Sequence, residues 1–105
     1  VVALASDFNP GSPHLNSMPF VLQLGVFTLG LTVEEAVNAC TGNAAYAIRR
    51  HASVGSLEPG KKMDLVLCDI PGYVSLAYEP ARNFVRTVVK NGKVVAADGR
   101  KVGAR

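Results

Sequence analysis

The first six residues, VVALAS, form an apolar run without alternation, the pattern of a strand buried on both faces of a parallel sheet. Residues 7–13, DFNPGSP, then place two prolines, a glycine and several polar residues together, which predicts a loop. Asn16 or Ser17 can cap a helix that carries Pro19 in its first turn. Its apolar face is expected from Phe20, Leu24 and Phe27, with Val21 and Leu31 near the same stripe and Gly30 as a C-cap. Thr32 and Glu35 have the spacing of a capping box, so a second helix starts there with Val33, Ala36, Val37 and Cys40 on its face. Gly42 breaks that helix, and Asn43 is expected to cap a short third one over 44–50.

The pattern changes after His51. Gly55, Pro59 and Gly60 mark turns, and residues 63–68 read as a strand interrupted only by Asp64. Residues 84–90 and 93–97 read as two further strands separated by Asn91 and Gly92, a strong hairpin signal, and Asp98 and Gly99 turn the chain once more. Strand, loop and helix at the start make half of a βα repeat, whereas the second half consists of short strands. No internal repeat and no low-complexity segment is present.

At 105 residues, with 49% hydrophobic and 18% charged positions, the chain is one globular unit at most. It opens on Val1 with an apolar run and no preceding cap or turn, and is therefore expected to be cut from a longer protein. The net charge of +3 comes from basic pairs spread along the chain, without the basic stretch and interleaved aromatics of a nucleic-acid surface, so nucleic acid is not an expected partner. Cys40 and Cys68 belong to no CxxC pair and are expected to be buried thiols. The longest apolar stretch is interrupted by Gln23, Gly25, Thr28 and Gly30, too short and too punctuated to span a membrane. A cytoplasmic protein is the resulting expectation.

Asp7 stands where an α/β barrel places its catalytic groups, at the C-terminal end of an apolar strand. Its carboxylate can bind a metal or take a proton; equally, it can cap the following loop by accepting from backbone amides. Asn9, Gly11 and Ser12 could present an amide, a bare backbone N–H and a hydroxyl to a small polar substrate, or simply make turns. His14 has no partner at HxH or HxxxH spacing, and His51 is expected to cap the third helix against the helix dipole. Tyr46, Tyr73 and Tyr78 are read as packing residues, and Asp64 as a turn or ladder-edge residue. Neither a GxxxxGK[ST] phosphate loop nor a GxSxG elbow occurs.

Four stretches together carry a family resemblance: SDFNPGS at 6–12, TGNAAYAI at 41–48, VGSLEPGKKMDLVL at 54–67 and VVKNGKVV at 88–95. The last two resemble the amidohydrolase superfamily at large. DFNPGS followed by SMPFVLQL resembles the imidazolonepropionase family within it. The resemblance implies an α/β fold: the last strand of a (β/α)8 barrel and its trailing helices over residues 1–52, then C-terminal strands of the accompanying small β-sandwich over 53–105. It further implies that Asp7 completes a divalent metal site, zinc or iron, and that Asn9, Gly11 and Ser12 hold substrate. The substrate implied by the resemblance is 4-imidazolone-5-propanoate, opened to N-formimidoyl-L-glutamate, and the full-length enzyme is expected to be a homodimer. Met63 departs from the superfamily pattern, which has Ala before the Asp of the DLV strand. The HxH pair, the later metal His and the substrate-binding Arg, Tyr and His of the family are absent from these residues, so the chain alone is expected to be inactive. Two other readings remain: a different amidohydrolase, such as a deaminase or a dihydropyrimidinase-like enzyme, and a self-standing interaction module.

Overall fold

A computed structural model of the chain describes residues 2–6, 17–78 and 84–102. Helix α1, Met18–Phe27, starts at Ser17, whose Oγ accepts from the Phe20 amide at 3.4 Å, with Pro19 in the first turn. Its buried positions are Val21, Leu22, Gln23 and Gly25, whereas Phe20, Leu24 and Phe27 are exposed. Val21 is buried as expected, but the three residues expected to lead that face, Phe20, Leu24 and Phe27, are not. Gln23 is the only polar side chain of the helix, so period alone cannot choose a side. Gly25 chooses it: a methyl at that position would stand 2.8 Å from Leu4 Cδ1 and 3.3 Å from Leu31 Cδ1, so the bare backbone admits both leucines.

Gly30, at φ 74°, turns the chain so that the Leu31 amide reaches the Gly25 carbonyl at 3.1 Å. The helix's own C-cap lies two residues earlier, at Thr28. Helix α2, Val33–Cys40, has the expected capping box, with Thr32 Oγ1 accepting from the Glu35 amide at 3.1 Å and Glu35 Oε1 from the Thr32 amide at 2.9 Å. Val33, Ala36 and Ala39 form its buried face. Helix α3, Gly42–Ala47, begins and ends earlier than expected. Asn43 does not cap it: its Nδ2 donates to the Val2 carbonyl at 2.9 Å. Arg49, at φ 60°, reverses the chain, and the Arg50 amide takes the Ala45 carbonyl at 2.8 Å. Backbone groups thus close this helix, and His51 lies beyond it with its ring 4.7 Å from that of Tyr46.

Four strands follow: β1, Leu65–Cys68; β2, Val85–Lys90; β3, Lys93–Ala97; and β4, Arg100–Lys101. They form an antiparallel sheet in the order β1-β2-β3-β4. Asn91 (φ 53°) and Gly92 (φ 77°) make the first hairpin turn, and Asp98 (φ 50°) and Gly99 (φ 81°) the second; paired positive φ angles suit the right-handed strand twist. A one-turn helix, α4, Ser75–Tyr78, stands between β1 and β2 and was not expected. Its four residues are too few for periodicity to register. Gln23 Nε2 donates to the Leu76 carbonyl at 3.1 Å, and Phe27 and Tyr78 meet edge to face at 5.9 Å, so α1 holds it from both ends. Phe84 is the largest fully buried side chain, and its carbonyl accepts from the Asp69 amide at 2.8 Å.

The expected first strand does not form over residues 2–6. A strand forms only through a ladder to another strand, and this segment instead bonds to helices: the Leu4 amide donates to the Ala39 carbonyl at 3.0 Å, and the Val2 carbonyl accepts from Asn43.

Candidate functional site

Asp7, Asn9, Gly11, Ser12 and His14 all lie outside the described residues, in the span between Ser6 and Ser17. What the structure describes is how that span is held at its two ends. On the leading side, Val2 and Leu4 are bonded to α3 and to the end of α2, and the Leu4 side chain fills the hollow over Gly25. On the trailing side, Ser17 starts α1 with a capped first turn. The same helix therefore supports both ends, directly at Ser17 and through Gly25 and Leu4. The described residues on either side of this span, Val2, Leu4 and Ser17, are thus fixed by packing and hydrogen bonds.

An open cavity of about 830 Å³ lies between residues 3–5, helices α2 and α3, and strand β1. Leu4, Val37, Ala44, Ile48, Leu57 and Val66 make it apolar. Both cysteines border it, but neither is fully buried: Cys40 is half-buried and Cys68 exposed, which corrects the expectation of two buried thiols. Burial raises the Cys40 thiol above its ordinary value, and the neighbours covering part of Cys68 do the same there. Protonated thiols in apolar surroundings are poor nucleophiles and poor metal ligands. The cavity has the character of a packing surface, not of a hydrolytic centre.

Among the described residues, no group of three or more His, Cys, Asp or Glu is placed to hold a metal ion. Typically three protein ligands hold a catalytic zinc, so a zinc held by Asp7 would need further ligands from outside the described residues. Asp64 has a structural part instead. Its Oδ2 accepts from Lys90 Nζ at 2.7 Å and its Oδ1 from the Asn91 amide at 2.8 Å, and these two bonds, Lys90 first, hold its carboxyl below the usual value. Of the two expected places, a turn or the edge of a ladder, Asp64 takes the second, directly before β1. Its partners lie 26 and 27 residues away, so no local motif could have named them. Tyr73 likewise donates to Glu34 Oε2 at 2.7 Å, which raises the phenol and lowers the carboxyl; both groups are exposed.

Among the described residues, no helix is long and apolar enough to cross a membrane. The model of the amidohydrolase family matches residues 2–95, a span that contains Asp7, Asn9, Gly11 and Ser12, all four helices, β1 and β2, and the first part of β3. The chain is 50% identical over 99 residues to the imidazolonepropionase of Geobacillus sp. (strain WCH70), covering 94% of this chain and 23% of that protein. It is equally similar to the imidazolonepropionase of Geobacillus kaustophilus (strain HTA426), and 45% identical over 94 residues to that of Clostridium tetani (strain Massachusetts / E88), where it covers 90% of this chain and 22% of the relative. The chain thus spans about a quarter of the length of these relatives. With a family match running from residue 2 to residue 95, nearly its whole length, this chain belongs to the amidohydrolase family.

Proposed function

We propose that these residues supply one wall of the active site of a metal-dependent amidohydrolase that opens the ring of 4-imidazolone-5-propanoate to N-formimidoyl-L-glutamate, a step of histidine breakdown. The observation that carries this reading is the 50% identity to an imidazolonepropionase over 94% of the chain. Residues 1–52 are then the end of a (β/α)8 barrel with its trailing helices, and 53–105 the C-terminal strands of a small β-sandwich. A homodimeric cytoplasmic enzyme, with no nucleic-acid or membrane partner, completes the proposal.

Asp7 is a metal ligand in this reading and also the group that carries a proton from the attacking water toward the departing ring nitrogen. The divalent ion, zinc or iron, when bound supplies Lewis acidity that brings the pKa of a water from ~15.7 toward ~7. That chemistry suits the substrate, whose ring amide is a poor electrophile. Asn9, the Gly11 amide and the Ser12 hydroxyl hold the polar substrate in reach of Asp7 by hydrogen bonds. The 105 residues alone do not provide a full ligand set and are expected to be inactive.

The test is ring hydrolysis and metal content of the full-length protein. Asp7→Ala is expected to lower kcat by about 10²- to 10⁴-fold, the range for a lost acid–base group, and to remove part of the bound metal. Asn9→Ala and Ser12→Ala should raise KM with the metal retained. Full activity in Asp7→Ala would overturn the assignment. Turnover of other cyclic amides without turnover of imidazolonepropanoate would move the reading to another amidohydrolase.

A further inference from the structure

The turn between β2 and β3 is clamped from outside by the two residues that precede β1. The Asn91 amide donates to Asp64 Oδ1 at 2.8 Å, and the Gly92 amide donates to the Met63 carbonyl at 2.9 Å. Lys90 Nζ holds the other oxygen of Asp64 at 2.7 Å. Both turn residues are exposed and both have positive φ.

Asn followed by Gly is chemically vulnerable, because no Cβ shields the second amide from the side chain of the first. In the reaction the Gly92 amide loses its proton and its nitrogen attacks Asn91 Cγ. A new C–N bond forms, the Cγ–Nδ2 bond breaks, and the side-chain nitrogen leaves as ammonia with the proton. Water then opens the five-membered imide at either carbonyl, leaving Asp or isoaspartate at position 91. The sum is amide plus water giving carboxylate plus ammonium, with no oxidant or further reactant. The step requires a Gly92 nitrogen free to lose its proton and a backbone able to swing that nitrogen toward Cγ. The bond to Met63 withholds the first, and the left-handed turn pinned by Asp64 withholds the second.

We propose that Asn91–Gly92 is a site of spontaneous deamidation that Met63 and Asp64 keep closed, and that it reacts when these two residues part from the turn. Reaction would set a second carboxylate beside Asp64, and isoaspartate would lengthen a two-residue turn by a methylene. Either product opposes re-docking, so a reversible local opening becomes permanent. This inference is independent of the proposed catalytic role.

The experiment incubates the full-length protein at mildly alkaline pH and measures acid and isoaspartate at position 91 by peptide mass spectrometry, in the native protein and in urea-unfolded protein. The native rate is expected to be lower by roughly tenfold or more, since reaction must wait for local opening. Asp64→Ala, folded by circular dichroism, should react several-fold faster than wild type. If that variant does not fold, Lys90→Ala, which removes only the cation that fixes Asp64, should show the same acceleration to a smaller degree. Equal rates in native and unfolded wild type would overturn the proposal, as would folded variants that react at the wild-type rate.

Discussion

Thr32 and Asp64 show how much a single polar side chain settles when it satisfies backbone groups. Thr32 takes one of the free amides at the start of α2, and Glu35 returns the bond. Thr32→Ala is expected to cost about 1 kcal/mol of local helix stability, read as faster hydrogen exchange at the Glu35 amide; unchanged exchange would show the cap to be redundant. Asp64 adds a dependence on pH. Its carboxyl is held below the usual value in the folded chain, so its contribution is complete above the unfolded-state value and is lost as pH falls through the lowered folded one. The difference in melting temperature between wild type and Asp64→Asn should therefore shrink on acidification. Tyr73 works with the opposite sign: its raised phenol favours the folded chain below the ordinary tyrosine value, and the gain is lost as pH rises through the raised one.

At the level of elements, glycines decide how closely the helices and loops approach. Gly55 has φ 98°, and a methyl there would stand 2.6 Å from Ala45 Cβ and 3.3 Å from the Thr41 carbonyl oxygen. Neither neighbour is the end of a flexible side chain. Gly55→Ala should cost about 1–3 kcal/mol from overpacking alone, with the positive φ adding strain, and should lower the melting temperature clearly. At Gly25 the nearest atoms are the ends of Leu4 and Leu31, which can move. Gly25→Ala should cost less overall but displace Leu4, loosening residues 2–6 and with them the support of the 7–16 span. Limited proteolysis near residue 6 would detect that, and an unchanged cleavage pattern would show that Leu4 is held by its bond to Ala39 alone.

At the level of the whole molecule, the buried core is small: Val21, Leu22, Val33, Phe84, Val89 and four alanines among the described residues. Against it stand large apolar side chains left open, with Phe27 62% and Leu29 61% exposed, and the cavity against β1. Exposed apolar area on this scale favours association with other protein surface. The isolated 105-residue chain is therefore expected to self-associate, visible as a scattering mass that grows with concentration. A monodisperse monomer with a cooperative melt would instead favour a self-standing module.

Caps and turns were legible in the sequence because each depends on residues within a few positions of one another. The Thr32–Glu35 box, the Ser17 cap, the Asn91–Gly92 hairpin and the Asp98–Gly99 turn all follow from local geometry. The sequence also offered the cluster of Asp7, Asn9, Gly11 and Ser12, which lies outside the described residues. Only the tertiary structure decided which side of α1 is buried, because nearly every residue of that helix is apolar and Gly25 acts through Leu4, which is distant in sequence. It likewise set residues 2–6 against helices, moved Asn43 from a cap to the Val2 carbonyl, and gave Asp64 its partners on the far hairpin. In each of these the energy comes from groups brought together across the chain, and local sequence carries no term for a neighbour it does not contain.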